Sequence, residues 1–122
     1  MNSIKKNFFK KEQVDLAVLF RTLGLPSRIA ILEAIANHPD CVNEFTLNVP
    51  PLANNTVIQH IRSLKREGII IGNFSPSKTH YCIDWENLDY LKSIFDELYT
   101  KVKQNHMRVA KMQQSKLKNT GQ

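Results

Sequence analysis

A mostly α chain with one small β-hairpin wing and a long last helix is the fold class that the sequence predicts, and three observations predict it. Apolar residues recur at helical spacing along most of the chain. One stretch, "IIIGNFSPSKTHYCI", departs from that period, with β-branched and aromatic residues on both sides of a Ser-Pro-Ser-Lys turn. From Leu88 onward the apolar residues keep a strict alternation of three and four.

Size and charge bound what such a chain can be. With 122 residues, 42% of them hydrophobic, it can bury one core of ordinary size, so one domain with appendages is expected. The net charge of +6 is unevenly distributed: Lys101, Lys103, Arg108, Lys111, Lys116 and Lys118 supply the whole excess, and no acid accompanies them. Such a run reads either as a solvated helix face with a loose tail or as the footprint of a nucleic-acid partner, and the second needs a motif. The basic N-terminus "MNSIKKNFFKK" is followed by an apolar stretch that Glu12 and Asp15 interrupt, which excludes a signal-peptide core. No apolar run approaches membrane-spanning length. Cys41 and Cys82 are too few and too far apart to read as a disulfide framework or a metal knuckle. A cytoplasmic protein with reduced thiols and no membrane partner is the expectation.

The elements follow in order. Val14, Ala17, Val18, Phe20 and Leu23 make a first amphipathic helix, placed at 8–23, which Gly24 stops. Pro26 and Ser27 open a second, with a stripe of Ile29, Leu32 and Ile35, ending before Pro39. "CVNEFTLNV" has room for a short helix that Pro50-Pro51 must end. A further helix runs through "LANNTVIQHIRSLKREGII", the hairpin follows, and Asp84 caps the last helix, placed at 85–112. Residues 113–122 read as a flexible basic tail.

In that last helix Leu88, Leu91, Phe95, Leu98, Val102, Asn105, Val109 and Met112 form a heptad seam. Leu88 and Leu91 are expected to pack on their own domain. Beyond Val102 no chain is left to cover the seam, so a second copy is the simplest partner. The expected dimer interface is Phe95, Leu98, Val102, Asn105, Val109 and Met112, with Asn105 either fixing the register or marking a solvated break.

The helix from Asn54 carries the functional signal. Val57, Ile61 and Leu64 face one side, while Asn54, Asn55, Thr56, Gln59, Arg62, Ser63 and Arg66 cover the others. Asn and Gln pair bidentately with adenine, Arg reaches guanine or phosphate, and Thr near a helix start meets a phosphate oxygen. A short helix, a sharp turn, a polar-faced helix and a hairpin make the order of a winged helix-turn-helix, in which the polar face enters a major groove. Lys78 at the wing tip reaches backbone or minor groove, and Ile58 either meets a thymine methyl or adds to the core.

Here the sequence resembles a family, the ArsR-type (ArsR/SmtB) bacterial repressors. "LFRTLGLPSRIAILEAI" looks like that family's opening helix pair through Phe20, Leu23, Gly24, Pro26, Arg28, Ile31 and Leu32. "LANNTVIQHIRSLKREGII" is similar to its recognition helix through Leu52, Thr56, Val57, His60, Leu64 and Gly68, and "YCI" before an acid looks like its last wing strand. The resemblance implies a homodimer whose first and last helices (8–23 and 85–112) pair, binding a palindromic operator on double-stranded DNA, with repression relieved by a signal. It thins at the sensor: "CVN" keeps Cys41 but has Asn43 in the place of a second cysteine, and His106 lacks a second His or a carboxylate one turn away. No metal and no cofactor is therefore expected, the inducer is unknown, and Cys41 reads as a buried structural thiol or a redox-sensitive one. An enzyme would need a nucleophile with an orienting base or a phosphate-cradling glycine loop, and the four glycines stand in no such setting. The sequence therefore reads as a non-enzymatic, sequence-specific DNA-binding regulator, with a winged-helix protein-interaction module as the alternative.

Overall fold

The computed structural model describes residues 8–75 and 78–120, with side chains from 8–72 and 80–118. Four helices and one hairpin follow one another: α1 (Lys11–Thr22), α2 (Pro26–Ala36), α3 (Asn54–Arg66), β1 (Ile70–Ser75), β2 (Lys78–Ile83) and α4 (Trp85–Thr120). The chain divides into two compact units, Met1–Leu91 and Lys92–Gln122.

In the first unit the local signals act as the residue types dictate. Gln13 Oε1 accepts from the Lys10 amide at 2.9 Å, and Glu12 and Arg21 sit at the ends of α1 that suit their charges. At Gly24 a Cβ would stand 3.0 Å from the Phe20 carbonyl oxygen, so any larger residue would crowd the backbone where the chain leaves α1. Pro26 occupies the first turn of α2, where its missing N–H costs nothing. Gly68, at φ 80°, ends α3: its amide donates to the Lys65 carbonyl at 3.0 Å and the Ile69 amide to that of Leu64 at 2.9 Å. This paired closure needs the left-handed conformation that glycine adopts freely. Asp84 caps α4 as expected, its Oδ1 accepting from the Asn87 amide at 3.1 Å.

The core lies where these elements converge. Ile31, Ile35, Val57, Ile61, Leu64, Ile69 and Ile70 are almost wholly buried, each contributing about 1.5–3 kcal/mol of apolar burial. The stripe of α3 is the one its spacing predicts. Those of α1 and α2 are rotated: Leu16 and Thr22 are the buried residues of α1, Ile31 and Ile35 those of α2, while Phe20 and Ile29 are exposed. Both helices are apolar on more than one side, so packing selects which apolar residues turn inward.

The strands pair antiparallel, from Ile70 opposite Ile83 to Ser75 opposite Lys78. The expected short helix before Pro50-Pro51 does not form. Val42 instead makes a bridge to Tyr81 on β2, with amide-to-carbonyl distances of 2.9 and 2.7 Å, and Asn43 Oδ1 accepts from the Phe45 amide at 2.8 Å. Backbone groups committed to a strand and to an Asx turn cannot also propagate a helix. The peptide bond between Pro50 and Pro51 is cis.

In the second unit α4 is helical through Thr120, so residues 113–120 of the stretch read as a flexible tail continue the helix, and the last two lie outside the described residues. Leu98, Val102, Val109 and Met112 are exposed along it.

Candidate nucleic-acid interface

The interface is built on α3. With Val57, Ile61 and Leu64 fully buried, the helix cannot rotate without exposing its apolar face, so its opposite face is set. Asn55, Gln59, Arg62 and Arg66, spaced by four, three and four, form an exposed strip there, and Asn54 is exposed at its start. Thr56, Ile58 and Ser63 are half-buried at its edges. Ala53, at the N-cap, offers no side-chain acceptor, and the first turn holds no acid. The amides of that turn and the positive end of the helix dipole therefore meet no side-chain cap and no acid of the first turn, a setting that favours an anion.

The strip is anchored from behind by His60. Arg28 Nε donates to His60 Nδ1 at 3.1 Å, and Ser27 Oγ lies 3.2 Å from Nε2. Arg28 also donates from Nη1 to the Thr22 carbonyl at 3.1 Å, tying the end of α1 to α3. Burial, and then the Arg28 charge, hold the imidazole below its ordinary pKa of 6.5.

Two cations of the strip have partners. Arg66 Nη2 donates to Ser63 Oγ at 3.2 Å, and Arg62 Nη2 stands 3.5 Å from Glu44 Oε1. Glu44 is buried, and its Oε2 has no hydrogen-bond partner among the described residues. Beside it the Tyr81 hydroxyl is held above its usual pKa, chiefly by burial and then by the Glu44 charge. The sequence reading missed Glu44 and Tyr81: Glu44 lies in an irregular segment with no periodicity to mark it, and Tyr81 reads as an ordinary strand aromatic.

Cys41 and Cys82 are joined in a disulfide, with Cα atoms 4.6 Å apart, which overturns the expectation of free, reduced thiols. Distance along the chain misled: the Val42–Tyr81 bridge brings the residue before one strand position beside the residue after the other. Cys41 itself takes a left-handed φ of 73° to enter the bridge. Among the described residues no three His, Cys, Asp or Glu side chains gather as a metal-holding group. The side chain of Lys78 lies outside the described residues. No helix among them is long and apolar enough to cross a membrane.

Within the second unit Phe95, Leu98, Tyr99, Val102, Lys103 and His106 line an apolar groove of about 390 Å³ along α4. Asn105 is exposed on the same helix.

No family model and no curated protein matches the chain. Solved structures do share its fold. An ArsR-like transcriptional regulator from Rhodococcus sp. RHA1 aligns with a TM-score of 0.70 at 14% identity, over 82% of this chain and 93% of its own. An ArsR family transcriptional regulator aligns with a TM-score of 0.59 at 20% identity, over 75% of this chain and 93% of its own. The fold is thus ArsR-like: mostly helical, with a two-stranded wing and a long last helix.

Proposed function

We propose that the chain is a sequence-specific DNA-binding transcriptional repressor that acts as a homodimer on a palindromic operator. The observation that carries this reading is the strip of Asn55, Gln59, Arg62 and Arg66 on a helix whose other face is fully buried. Its amide and guanidinium groups match the hydrogen-bonding edges of adenine and guanine in a major groove. Asn54, Thr56, Ser63 and the uncapped first turn flank the strip as phosphate contacts, Ile58 stands beside it, and Lys78 reaches the backbone from the wing. Likeness to two transcriptional regulators supports the reading at the level of fold.

Dimerisation through α4 completes it. Phe95, Leu98, Val102, Val109 and Met112 repeat at heptad spacing and are exposed, with Asn105 in register among them. A narrow apolar seam of that length is covered most economically by the same seam on a second copy, which also places two recognition helices on two half-sites. No metal or cofactor enters the reading. An electrophoretic-shift titration with the DNA upstream of the chain's own gene tests it: a salt-sensitive complex that resists random competitor DNA is expected. Equal competition by random DNA would remove the sequence specificity, and no complex at all would instead favour a winged-helix module that binds protein.

A further inference from the structure

We propose that Glu44 is a positioning residue for DNA reading, its buried carboxylate holding the Arg62 guanidinium in one place on the exposed strip of α3. The proposal rests on the DNA-binding reading and adds to it a residue that does not face the groove.

Glu44 is the one buried charged residue among those described, its side chain 8% exposed, while that of Arg62 is 62% exposed. The pair is poor as a device for stability. Oε1 meets Arg62 only at a long 3.5 Å, Oε2 has no hydrogen-bond partner among the described residues, the neutral Tyr81 hydroxyl is the other polar group beside the carboxylate, and burial withdraws it from water. A buried charge so thinly compensated costs more than an apolar side chain of the same volume would, and an exposed guanidinium returns little Coulomb energy.

What the arrangement does supply is direction. The residues around Glu44 are tied to the wing by the Val42–Tyr81 bridge and the Cys41–Cys82 disulfide, and the Asn43 turn fixes the chain just after it. The carboxylate is therefore a stationary anchor. Arg62 has a long flexible stem and a planar fork, and it reads guanine only when the fork is presented edge-on. Holding one Nη nitrogen against Glu44 leaves the remaining N–H groups aimed outward and reduces the rotamer freedom that binding must remove. Glu44 is enclosed and acts through Arg62, so its loss should alter which bases are preferred rather than how many phosphates are touched.

The test is selection from a pool of random DNA duplexes by the full chain, run in parallel for the parent, Glu44→Gln, Arg62→Ala and the double variant. Glu44→Gln keeps shape and removes charge. Glu44→Gln and Arg62→Ala are expected to lose preference at the same position of the selected motif, by about tenfold each, and the double variant to lose no more than Arg62→Ala alone. The salt dependence of Glu44→Gln should match that of the parent. A motif unchanged by Glu44→Gln, a loss at other positions, or additive losses in the double variant would each overturn the proposal while leaving DNA reading intact. A uniform loss of affinity with the motif preserved would assign Glu44 a purely structural part and overturn it too. Should Glu44→Gln fail to fold, Glu44→Asp, which keeps the charge but shortens its reach, is expected to weaken the same position, and an unchanged motif overturns the proposal. A parent that selects no motif removes the DNA-binding reading, and this one with it.

Discussion

Arg28 Nε donates to His60 Nδ1 at 3.1 Å, which settles the protonation of the imidazole. A guanidinium can only donate, so Nδ1 accepts, and the ring proton of the neutral form sits on Nε2, toward Ser27 Oγ at 3.2 Å. Protonating the ring would turn Nδ1–H against the guanidinium and break the link between α2 and α3.

Stability should therefore depend on pH with a definite sign. Burial and Arg28 lower the His60 pKa in the folded state, so the unfolded chain, near the ordinary 6.5, binds the proton more readily. The contribution of neutral His60 is fully present above about pH 6.5 and is lost as pH falls through the folded-state pKa. Thermal melts between about pH 7.5 and pH 5 should show a falling midpoint in the parent and a flatter profile in His60→Gln. An equally steep profile in His60→Gln would assign the proton to another group.

Reducing the disulfide should destabilise the first unit. Cys41 and Cys82 are separated by 41 residues in the sequence, and closing a loop of that length in the unfolded chain is worth about 4 kcal/mol in the chain-entropy account. Urea unfolding with and without dithiothreitol is expected to differ by about 2–4 kcal/mol, and the Cys41→Ser, Cys82→Ser double variant should match the reduced protein. Identical curves for oxidised and reduced protein would contradict the link.

DNA reading and DNA holding should separate in two variants. Gln59 is exposed at the middle of α3, and Gln59→Ala is expected to relax preference at one base pair per half-site by about 1–3 kcal/mol. Lys78, at the start of β2, is expected to touch backbone only, so Lys78→Ala should weaken all sequences alike and lower the salt slope by about one per bound chain. Binding titrations on selected and random DNA at several salt concentrations distinguish the two.

The dimer prediction concerns Val102, which is 57% exposed in the middle of the seam. Val102→Glu would place two carboxylates against each other in an apolar contact between copies. Sedimentation should find a monomer, with operator binding weakened because two half-sites no longer act together. An undiminished dimer would move the interface off α4.

Much of this was legible in the sequence, because it is set by contacts a few residues long. The buried stripe of Val57, Ile61 and Leu64, the stop at Gly24, the Asp84 cap and the hairpin all follow from period, conformational freedom or capping chemistry. The exposed strip on α3 follows in turn, since burying one face of a helix dictates the other. The segment between α2 and α3 did not follow. Its Val42–Tyr81 bridge and the Cys41–Cys82 link join residues that meet only where the hairpin folds back, and the Glu44–Arg62 contact joins the segment to α3 across 18 residues. Such pairings leave no local period, and they override the weak helical preference of "CVNEFTLNV" by committing its backbone elsewhere. Which apolar residues of α1 and α2 turn inward was likewise decided by packing, because helices with more than one apolar side carry no single answer in their spacing.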